Sequence, residues 1–355
     1  MLPPQLFPIG CQRPEPDALI AVLDAIRTRA EQTRSEGPWA SGIWKLLAAH
    51  GVLDGFIPID CEGTAADEAA VTEFLIELGG CCLTTALALT QWASGCRIIA
   101  EADQDVRQRY LPALTRGELT TTVGISQLTT SRRHLGGAVM RASDLGGRWQ
   151  LDGLCPWVTG ADSVDTIVTG AATADGETRF FLVDRKAPGI SVDTPMQMLA
   201  LTGSRTSVVH VTAALAAEMI EPPTTRRPGA GGLTTSALAV GAAKASAKLL
   251  AEEASRRHDV GPVAHGLADE ADRLVARVMN AVREGIEPDD RDRLRGEANN
   301  LVIRASQAAL VASKGAGFVV GHPAELAVRE AMFFLVWSCP QTVSAATLCE
   351  LASLG

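Results

Sequence analysis

The sequence predicts an α+β protein in which helices, then strands, then helices follow one another along the chain. Apolar residues recur at helical spacing before about residue 117 and after about residue 233, whereas short β-branched runs fill the interval. Hydrophobic residues make up 46% of the chain and aromatic residues only 4%, so Ala, Leu and Val must form most of the core. We expect an N-terminal helical domain (residues 1–117), a β-sandwich or barrel domain (118–222) and a C-terminal four-helix-bundle domain (223–355).

The first region contains four segments with helical periodicity. The first, "PDALIAVLDAIRTRAEQTR", opens with a Pro-Asp start signal. The others are "AADEAAVTEFLIELGGCC", "TTALALTQWASGCRIIAEA" and "DQDVRQRYLPALTRGEL". Each is long enough for a helix of several turns.

The middle region predicts about seven short strands separated by turn signals such as "DLGG", "ADGET" and "KAPG". The predicted strands are "LTTTVGIS", "AVMRAS", "RWQLDGLCPWV", "DTIVTGAAT", "TRFFLVD", "ISVDT" and "TSVVHVTAALA". The following segment, "EPPTTRRPGAGGLTT", has the composition of a linker rather than of a phosphate loop, since no strand leads directly into it. Helical periodicity then continues to the "ELAVREAMFFLVWSC" segment.

Composition and charge exclude several classes of function. A net charge of −9 without long basic clusters argues against nucleic acid as a partner. No stretch reaches the roughly 18–20 apolar residues of a membrane span, and the N-terminus lacks the features of a signal peptide, so we expect a cytoplasmic protein. The eight cysteines include no C-x-x-C pair and the six histidines are scattered, so no metal site is predicted and reduced cysteines are expected.

Several motifs, taken in order, resemble those of the acyl-CoA dehydrogenase superfamily over about residues 17–350. They are "LAAHGVLDGFIPIDCEGT", "RQRYLPALTRGEL", "WQLDGLCPWVTGADSVDTIV", "FFLVDRKAPGISV", "ASRRHDVG" and "SKGAGFVVGHPAELAVREA". The resemblance implies a flavin-dependent oxidoreductase with FAD as cofactor. It also implies a homodimer or homotetramer, because in that family the neighbouring subunit helps to hold the FAD.

The resemblance assigns four positions to the flavin ring system. Trp157 matches the tryptophan beside the ring, and Thr159 matches the threonine near its N5 and O4 atoms. Ile125 and Ser126 match the positions that contact its pyrimidine end. A flavin requires an apolar wall and polar donors, and these residue types can supply both. The alternative for Trp157 is an ordinary aromatic residue in the core of the β-domain.

Three further positions are assigned to the FAD pyrophosphate. Arg257 matches the arginine that reaches the cofactor of the partner subunit, and Gly315 and Gly317 match a glycine turn that lets the backbone approach closely. Lys314 and Val311 replace a usual glycine and glutamine. We therefore expect looser binding of FAD, or the use of FMN or of reduced flavin instead.

The loop "TTSRRHL" departs from the glycine- and serine-containing loop of the family. Arg132 and Arg133 are candidates for binding a phosphate of coenzyme A or of a phosphopantetheine arm, and the alternative is a solvated surface pair. His134 is a candidate replacement base, as is Glu62 elsewhere in the chain.

The segment "REAMFFLVWSCPQTV" carries the main chemical departure. Aligned on the family pattern, Trp337 takes the place of a tyrosine, Ser338 of the catalytic glutamate and Cys339 of a glycine. Trp337 and Cys339 are therefore candidate substrate contacts. Desaturation of an acyl thioester needs a base for the α-proton, and a serine hydroxyl is no such base without a partner. The family's other base position falls at Thr234-Thr235, which also lacks a carboxylate.

Three functions remain open from the sequence. The first is an oxidoreductase that acts on an acyl thioester or similar hydrophobic substrate with a non-standard or absent catalytic base. The second is a flavin-dependent monooxygenase that uses reduced flavin and oxygen, and the third is a non-catalytic binding homologue. Besides its small-molecule substrate, we expect a carrier protein, an electron-transfer flavoprotein or a flavin reductase as a partner of the chain.

Overall fold

The computed structural model describes residues 3–129, 139–221 and 232–352. The chain divides into two compact units. The first unit is drawn from Met1–Asp67 and Leu87–Arg227, and the second from Glu68–Ala86 and Pro228–Gly355. The predicted α+β order of helices, strands and helices is confirmed, while the division into three domains stays a prediction.

Helices flank the β-rich part of the sequence on both sides. In the described residues they are α1 (Pro16–Glu36), α2 (Ile43–Ala49), α3 (Glu68–Cys81), α4 (Leu83–Ile99), α5 (Gln104–Thr115), α6 (Ser126–Thr129), α7 (Thr234–Ala254), α8 (Gly261–Glu284), α9 (Pro288–Gly317), α10 (Pro323–Phe333) and α11 (Gln341–Leu351). Side-chain caps fix several of their starts. Glu15 accepts the amide of Ala18 at 2.7 Å, and Asp103 accepts that of Val106 at 2.9 Å.

The strands of the first unit form one mixed sheet that stays open among the described residues. They are β1 (Thr121–Gly124), β2 (Met140–Asp144), β3 (Trp149–Val158), β4 (Thr166–Ala172), β5 (Thr178–Asp184), β6 (Ile190–Val192), β7 (Ser207–Leu215) and β8 (Glu218–Ile220). Their order is β6-β7-β3-β2-β4-β5-β8, with β1 pairing parallel to β4. The short β8 strand extends the predicted set.

Buried apolar side chains from several strands build the core of the sheet. Leu151, Cys155 and Val158 of β3 are buried and pack with Ile167 of β4 and Phe181 of β5. A second aromatic cluster in the same unit joins tryptophans and a phenylalanine, with ring centroids 5.7–6.2 Å apart: Trp39, Trp44, Trp92 and Phe56. In this cluster Trp44 and Phe56 pack around Trp92 of α4, and Trp39 packs against Trp44.

In the second unit, α3 and α7 cross at very short distance because small residues line the contact. A Cβ atom on Gly241 would lie 1.9 Å from the carbonyl oxygen of Ile76, and one on Gly79 would lie 2.8 Å from that of Leu238. Any larger side chain would force the two helices apart. The glycines of "ELGGCC" therefore act in helix packing.

No helix among the described residues is long and apolar enough to cross a membrane. All eight cysteines are free thiols, and Cys61, Cys82, Cys96 and Cys155 are buried. Burial raises the pKa of the Cys155 thiol to about 11. That thiol is therefore protonated and packs as part of the core.

Candidate functional site

Trp157 projects from the end of β3 into solvent. Its neighbours Cys155 and Val158 are buried at 1% and 0% exposure, whereas the indole is 50% exposed. The alternative interpretation of Trp157 as a core aromatic residue is therefore wrong. An uncovered aromatic ring of this size on one strand is a surface suited to stacking with a planar ligand.

The residues that follow Trp157 form a tightly held loop. The Thr159 hydroxyl is buried and lies 3.4 Å from the hydroxyl of Thr206, which in turn lies 2.8 Å from that of Ser204. The amide of Gly160 donates to the carbonyl oxygen of Ser204 at 2.9 Å. The loop after β3 is thus fixed against the segment that leads into β7.

Gly160 is required at its position for two separate reasons. Its φ angle is +68°, a left-handed conformation that favours glycine. A Cβ atom there would also lie 2.2 Å from the Cη2 atom of Trp39. The glycine therefore lets the loop carrying Thr159 lie directly on the Trp39 ring.

An ion pair closes the same loop. The Arg205 Nε atom donates to both carboxylate oxygens of Asp162, at 3.0 and 2.9 Å, and its Nη2 atom donates to Asp162 as well. Partial burial of Asp162 raises the pKa of this carboxyl, but hydrogen bonds from Arg205 and Ser163 outweigh the burial and hold its pKa below the usual value. The pair is ionised at neutral pH and stabilises the loop around Thr159.

Ile125 lies between β1 and α6, Ser126 is the first residue of α6, and both are half-buried. The next residue, Gln127, holds this segment in place, a role that was not identified from the sequence. Its side chain is 6% exposed, and its Nε2 atom donates to Gly170 O at 3.1 Å, Gly124 O at 3.3 Å and Thr169 Oγ1 at 3.3 Å. A glutamate at this place has no N–H group to donate, so the amide is what ties the segment to β4.

Arg132, Arg133 and His134, the predicted phosphate contacts and replacement base, lie outside the described residues. The other replacement base, Glu62, is 57% exposed and paired with Arg116, in an arrangement ordinary for a surface carboxylate. Thr235 at the second base position is buried at the start of α7.

The predicted pyrophosphate residues lie in the second unit. Arg257 donates to the carbonyl oxygen of Ala312 at 3.0 Å and to Asp259 at 2.8 Å, so its guanidinium is oriented by its own chain. Lys314 interrupts α9 with a φ of +54°. A Cβ atom on Gly315 would meet open space, whereas one on Gly317 would lie 2.6 Å from Ser313 Cβ. Gly315 thus leaves its backbone accessible, and Gly317 is needed for packing at the end of α9.

The helix predicted through "FFLVWSC" is wrong beyond Phe333, where α10 ends. Ser338 stands in the turn between α10 and α11, is exposed, and has a left-handed φ of +43°. Trp337 is half-buried and stacks on Phe333 with ring centroids 4.9 Å apart. In the described part of the chain, neither the Ser338 hydroxyl nor the Cys339 thiol has a hydrogen-bond partner that would act as a base.

The physical reason for the helix end is Arg295 of α9, which sequence reasoning also missed. Its guanidinium donates to the carbonyl oxygens of Phe334 at 3.1 Å and Trp337 at 2.9 Å, and Asn299 donates to Phe334 as well at 3.0 Å. These donors satisfy carbonyl groups that a longer α10 would have paired internally. The turn before Ser338 is therefore built by a neighbouring helix.

His322 caps the start of α10, where its Nδ1 atom accepts the amide of Ala324 at 3.1 Å. Within the described residues, no three His, Cys, Asp or Glu side chains come together as a metal ion would require. A cavity of about 800 Å³ in the second unit is lined by α8, α9 and α11 and carries charged walls, among them Arg273, Arg277 and Glu350. None of the predicted site residues lines this cavity.

Comparisons with known proteins agree with this architecture. Residues 21–118 match the family described as acyl-CoA dehydrogenase, N-terminal domain. The fold matches a glutaryl-CoA dehydrogenase from Mycobacterium smegmatis in complex with FADH2, with a TM-score of 0.80, 16% identity and coverage of 96% of this chain and 94% of that one. The resemblance to the acyl-CoA dehydrogenase superfamily is confirmed.

Two further acyl-CoA dehydrogenases are similar to the chain. A glutaryl-coenzyme A dehydrogenase in complex with glutaryl-CoA has a TM-score of 0.78 and 17% identity, with coverage of 94% of this chain and 95% of that one. Cyclohex-1-ene-1-carbonyl-CoA dehydrogenase of Syntrophus aciditrophicus (strain SB) is 26% identical over 151 residues. That match spans 41% of this chain and 36% of the relative's own length.

Proposed function

We propose that this chain is an FAD-dependent oxidoreductase of the acyl-CoA dehydrogenase type, acting on an acyl thioester or a similarly hydrophobic substrate. The observation that carries the proposal is the half-exposed Trp157 ring, followed in sequence by the Thr159 hydroxyl in a loop that hydrogen bonds of Gly160 and Asp162 hold in place. The similarity to a relative described in complex with FADH2 supports the choice of cofactor.

The residues present fit a flavin. Trp157 offers the uncovered aromatic wall that the ring system needs. Within the described ranges, the Thr159 hydroxyl makes a single long contact, of 3.4 Å with Thr206, so its hydrogen remains available for a polar edge of the ring. Gln127 and the Asp162–Arg205 pair hold the two loops in place. FAD, when bound, supplies an acceptor for a hydride equivalent from the substrate.

The proposal departs from the family's chemistry at position 338, where this chain has a serine in place of the catalytic glutamate. Ser338 is an exposed hydroxyl without a hydrogen-bonded base among the described residues. An alcohol in that setting accepts no α-proton at neutral pH. We therefore propose that oxidation uses a different proton acceptor, and that rapid α,β-desaturation of the usual kind is absent.

The same observation favours a second candidate, a monooxygenase that takes up reduced flavin and uses oxygen. Such a reaction needs hydrogen-bond donors and a dry apolar wall rather than a carboxylate, and Ser338 and Trp337 are residues of those types. We further propose a homodimer or homotetramer. The dehydrogenase would need an electron-transfer flavoprotein as partner, and the monooxygenase would need a flavin reductase.

The test compares two tryptophans of the same strand. FAD, FMN and reduced flavin are titrated, the last under anaerobic conditions, into wild-type protein, Trp157→Leu and the control Trp149→Leu, with absorbance and fluorescence as readouts. Trp149 stands at the opposite end of β3 from Trp157 and packs on Phe181 with centroids 5.5 Å apart, so its loss disturbs the strand without removing the exposed ring. We expect wild type and Trp149→Leu to bind flavin alike and Trp157→Leu to bind at least about tenfold more weakly. Absence of binding to wild type in all three titrations would refute the proposal and favour a non-catalytic binding role. Equal losses of flavin affinity in the two variants would contradict the assignment of Trp157 to the flavin ring.

A further inference from the structure

Arg295 is a buried cation without a carboxylate partner among the described residues. It lies on α9 and is only 3% exposed. Its Nε atom donates to the Asn299 Oδ1 atom at 2.8 Å, and its Nη2 atom donates to the carbonyl oxygens of Phe334 and Trp337. Every acceptor that it uses is uncharged.

A buried guanidinium costs several kcal/mol of desolvation unless its surroundings compensate. Burial lowers the pKa of Arg295 to about 10, which still leaves the side chain charged at neutral pH. The compensation comes from the carbonyl groups of Phe334 and Trp337, just beyond the end of α10, and from the negative charge of Asp292, which raises the pKa of Arg295. Asn299 helps by accepting from Arg295 and donating to Phe334.

These hydrogen bonds determine the path of the backbone just before Ser338. The amide of Trp337 donates to Phe333 O at 2.9 Å, while the carbonyl group of Trp337 accepts from Arg295 at 2.9 Å. Both the amide and the carbonyl group of Trp337 are therefore held by hydrogen bonds. The next residue, Ser338, takes a φ of +43°, which is unfavourable by about 1–2 kcal/mol for a side chain with a Cβ atom.

We propose that Arg295, assisted by Asn299, is a positioning residue that holds Ser338 and Cys339 in the conformation required at the substrate. The inference rests on the proposed function, because it assigns a purpose to the placement of Ser338. The guanidinium donates to Asn299, Phe334 and Trp337. In this proposal it acts on Ser338 through the two carbonyl groups that it binds.

The first experiment measures hydrogen exchange at amides 334–337, and it needs neither flavin nor substrate. The variants are Arg295→Met, Arg295→Lys and, as a control on the same helix, Arg304→Met. Arg304 is exposed and bonded to Glu270 and Asn300. We expect exchange at these amides to rise at least about tenfold in Arg295→Met, to rise less in Arg295→Lys, and to match wild type in Arg304→Met.

The second experiment asks whether the placement matters for chemistry. In a Ser338→Glu background, adding Arg295→Met is expected to lower the rate of flavin reduction at saturating butyryl-CoA at least about tenfold, with an unchanged dissociation constant for FAD. Adding Arg295→Lys in place of Arg295→Met should restore part of that rate. A merely structural role would instead lower FAD affinity and rate together, or neither.

Unchanged exchange at amides 334–337 in Arg295→Met overturns the inference. If Arg295→Met does not fold, the same exchange measurement is made on Arg295→Lys and Asn299→Leu, and unchanged exchange in both overturns the inference. If wild-type protein binds no flavin, the proposed function fails while the exchange result still decides whether Arg295 holds the turn.

Discussion

Replacing Gln127 by glutamate changes one atom of the amide and removes every N–H donor from a buried side chain. The Gln127 amide makes contacts of 3.1–3.3 Å with Gly170 O, Gly124 O and Thr169 Oγ1. Gly124 O keeps a 2.8 Å hydrogen bond from Thr169 in the variant. We therefore assign the lost hydrogen bonds about 1 kcal/mol of the free energy of unfolding at any pH.

An ionised carboxylate at this place costs more. It is desolvated and faces two carbonyl oxygens, which adds about 2 kcal/mol. This amount corresponds to about 1.5 pK units, so the pKa of the introduced glutamate rises from about 4.3 in the unfolded chain to about 6 in the fold. A raised native pKa means that the extra penalty is absent below about pH 4, grows as the pH rises, and is complete above about pH 6.

The assay is urea unfolding between pH 4 and pH 8, with Gln127→Met as the matched control. We expect Gln127→Glu to be about 1 kcal/mol less stable than wild type at pH 4 and about 3 kcal/mol less stable at pH 7. The methionine variant should show one constant difference over this range. A glutamate variant with the same pH-independent stability as the methionine variant would refute the argument that the amide donates into β4.

Three other predictions follow from backbone strain and from the loop ion pair. Gly160→Ala should lower the free energy of unfolding by at least about 2 kcal/mol in urea, because of its left-handed φ and the clash with Trp39, and a smaller loss would contradict that geometry. Ser338→Gly should raise the free energy of unfolding by about 0.5 kcal/mol, because removing the strain of a left-handed serine outweighs the greater conformational entropy that a glycine gives the unfolded chain. A decrease would contradict the left-handed conformation at this position. The lowered pKa of Asp162 means that its stabilisation is complete above its usual value of 3.8 and is lost as the pH falls through the lower native value. Wild type should therefore lose more stability than Asp162→Asn between pH 5 and pH 2, and equal losses would contradict the role of the Arg205 pair.

The order of elements was predictable because it depends on local pattern. The capped start of α1 at Pro16 and the alternating burial at the start of β7 follow from residues close in sequence. The end of α10 did not follow, because the donor that satisfies Phe334 and Trp337 belongs to Arg295, about 40 residues earlier. No local signal distinguishes a helix that continues from one that a distant guanidinium ends.

The sequence also selected candidate site residues, which stay predictions. Motif order located Trp157 and Thr159, but whether the indole faces the core or solvent depends on the bulges in the β3–β7 pairing. The role of Gln127 depends on acceptors on β4, which lie more than 40 residues away in the sequence. Side-chain partners at such separation set the details of the site, and spacing along the sequence does not reveal them.

Anaerobic mixing of flavin-loaded protein with acyl thioesters tests the central claim most directly. Wild type and Ser338→Glu would be mixed with butyryl-CoA, glutaryl-CoA and cyclohex-1-ene-1-carbonyl-CoA while flavin absorbance is followed. We expect the introduced carboxylate to accelerate bleaching by one of these compounds at least about 100-fold over wild type. Equally fast bleaching of the two proteins would contradict the claim that the serine at 338 leaves the usual base position without a proton acceptor.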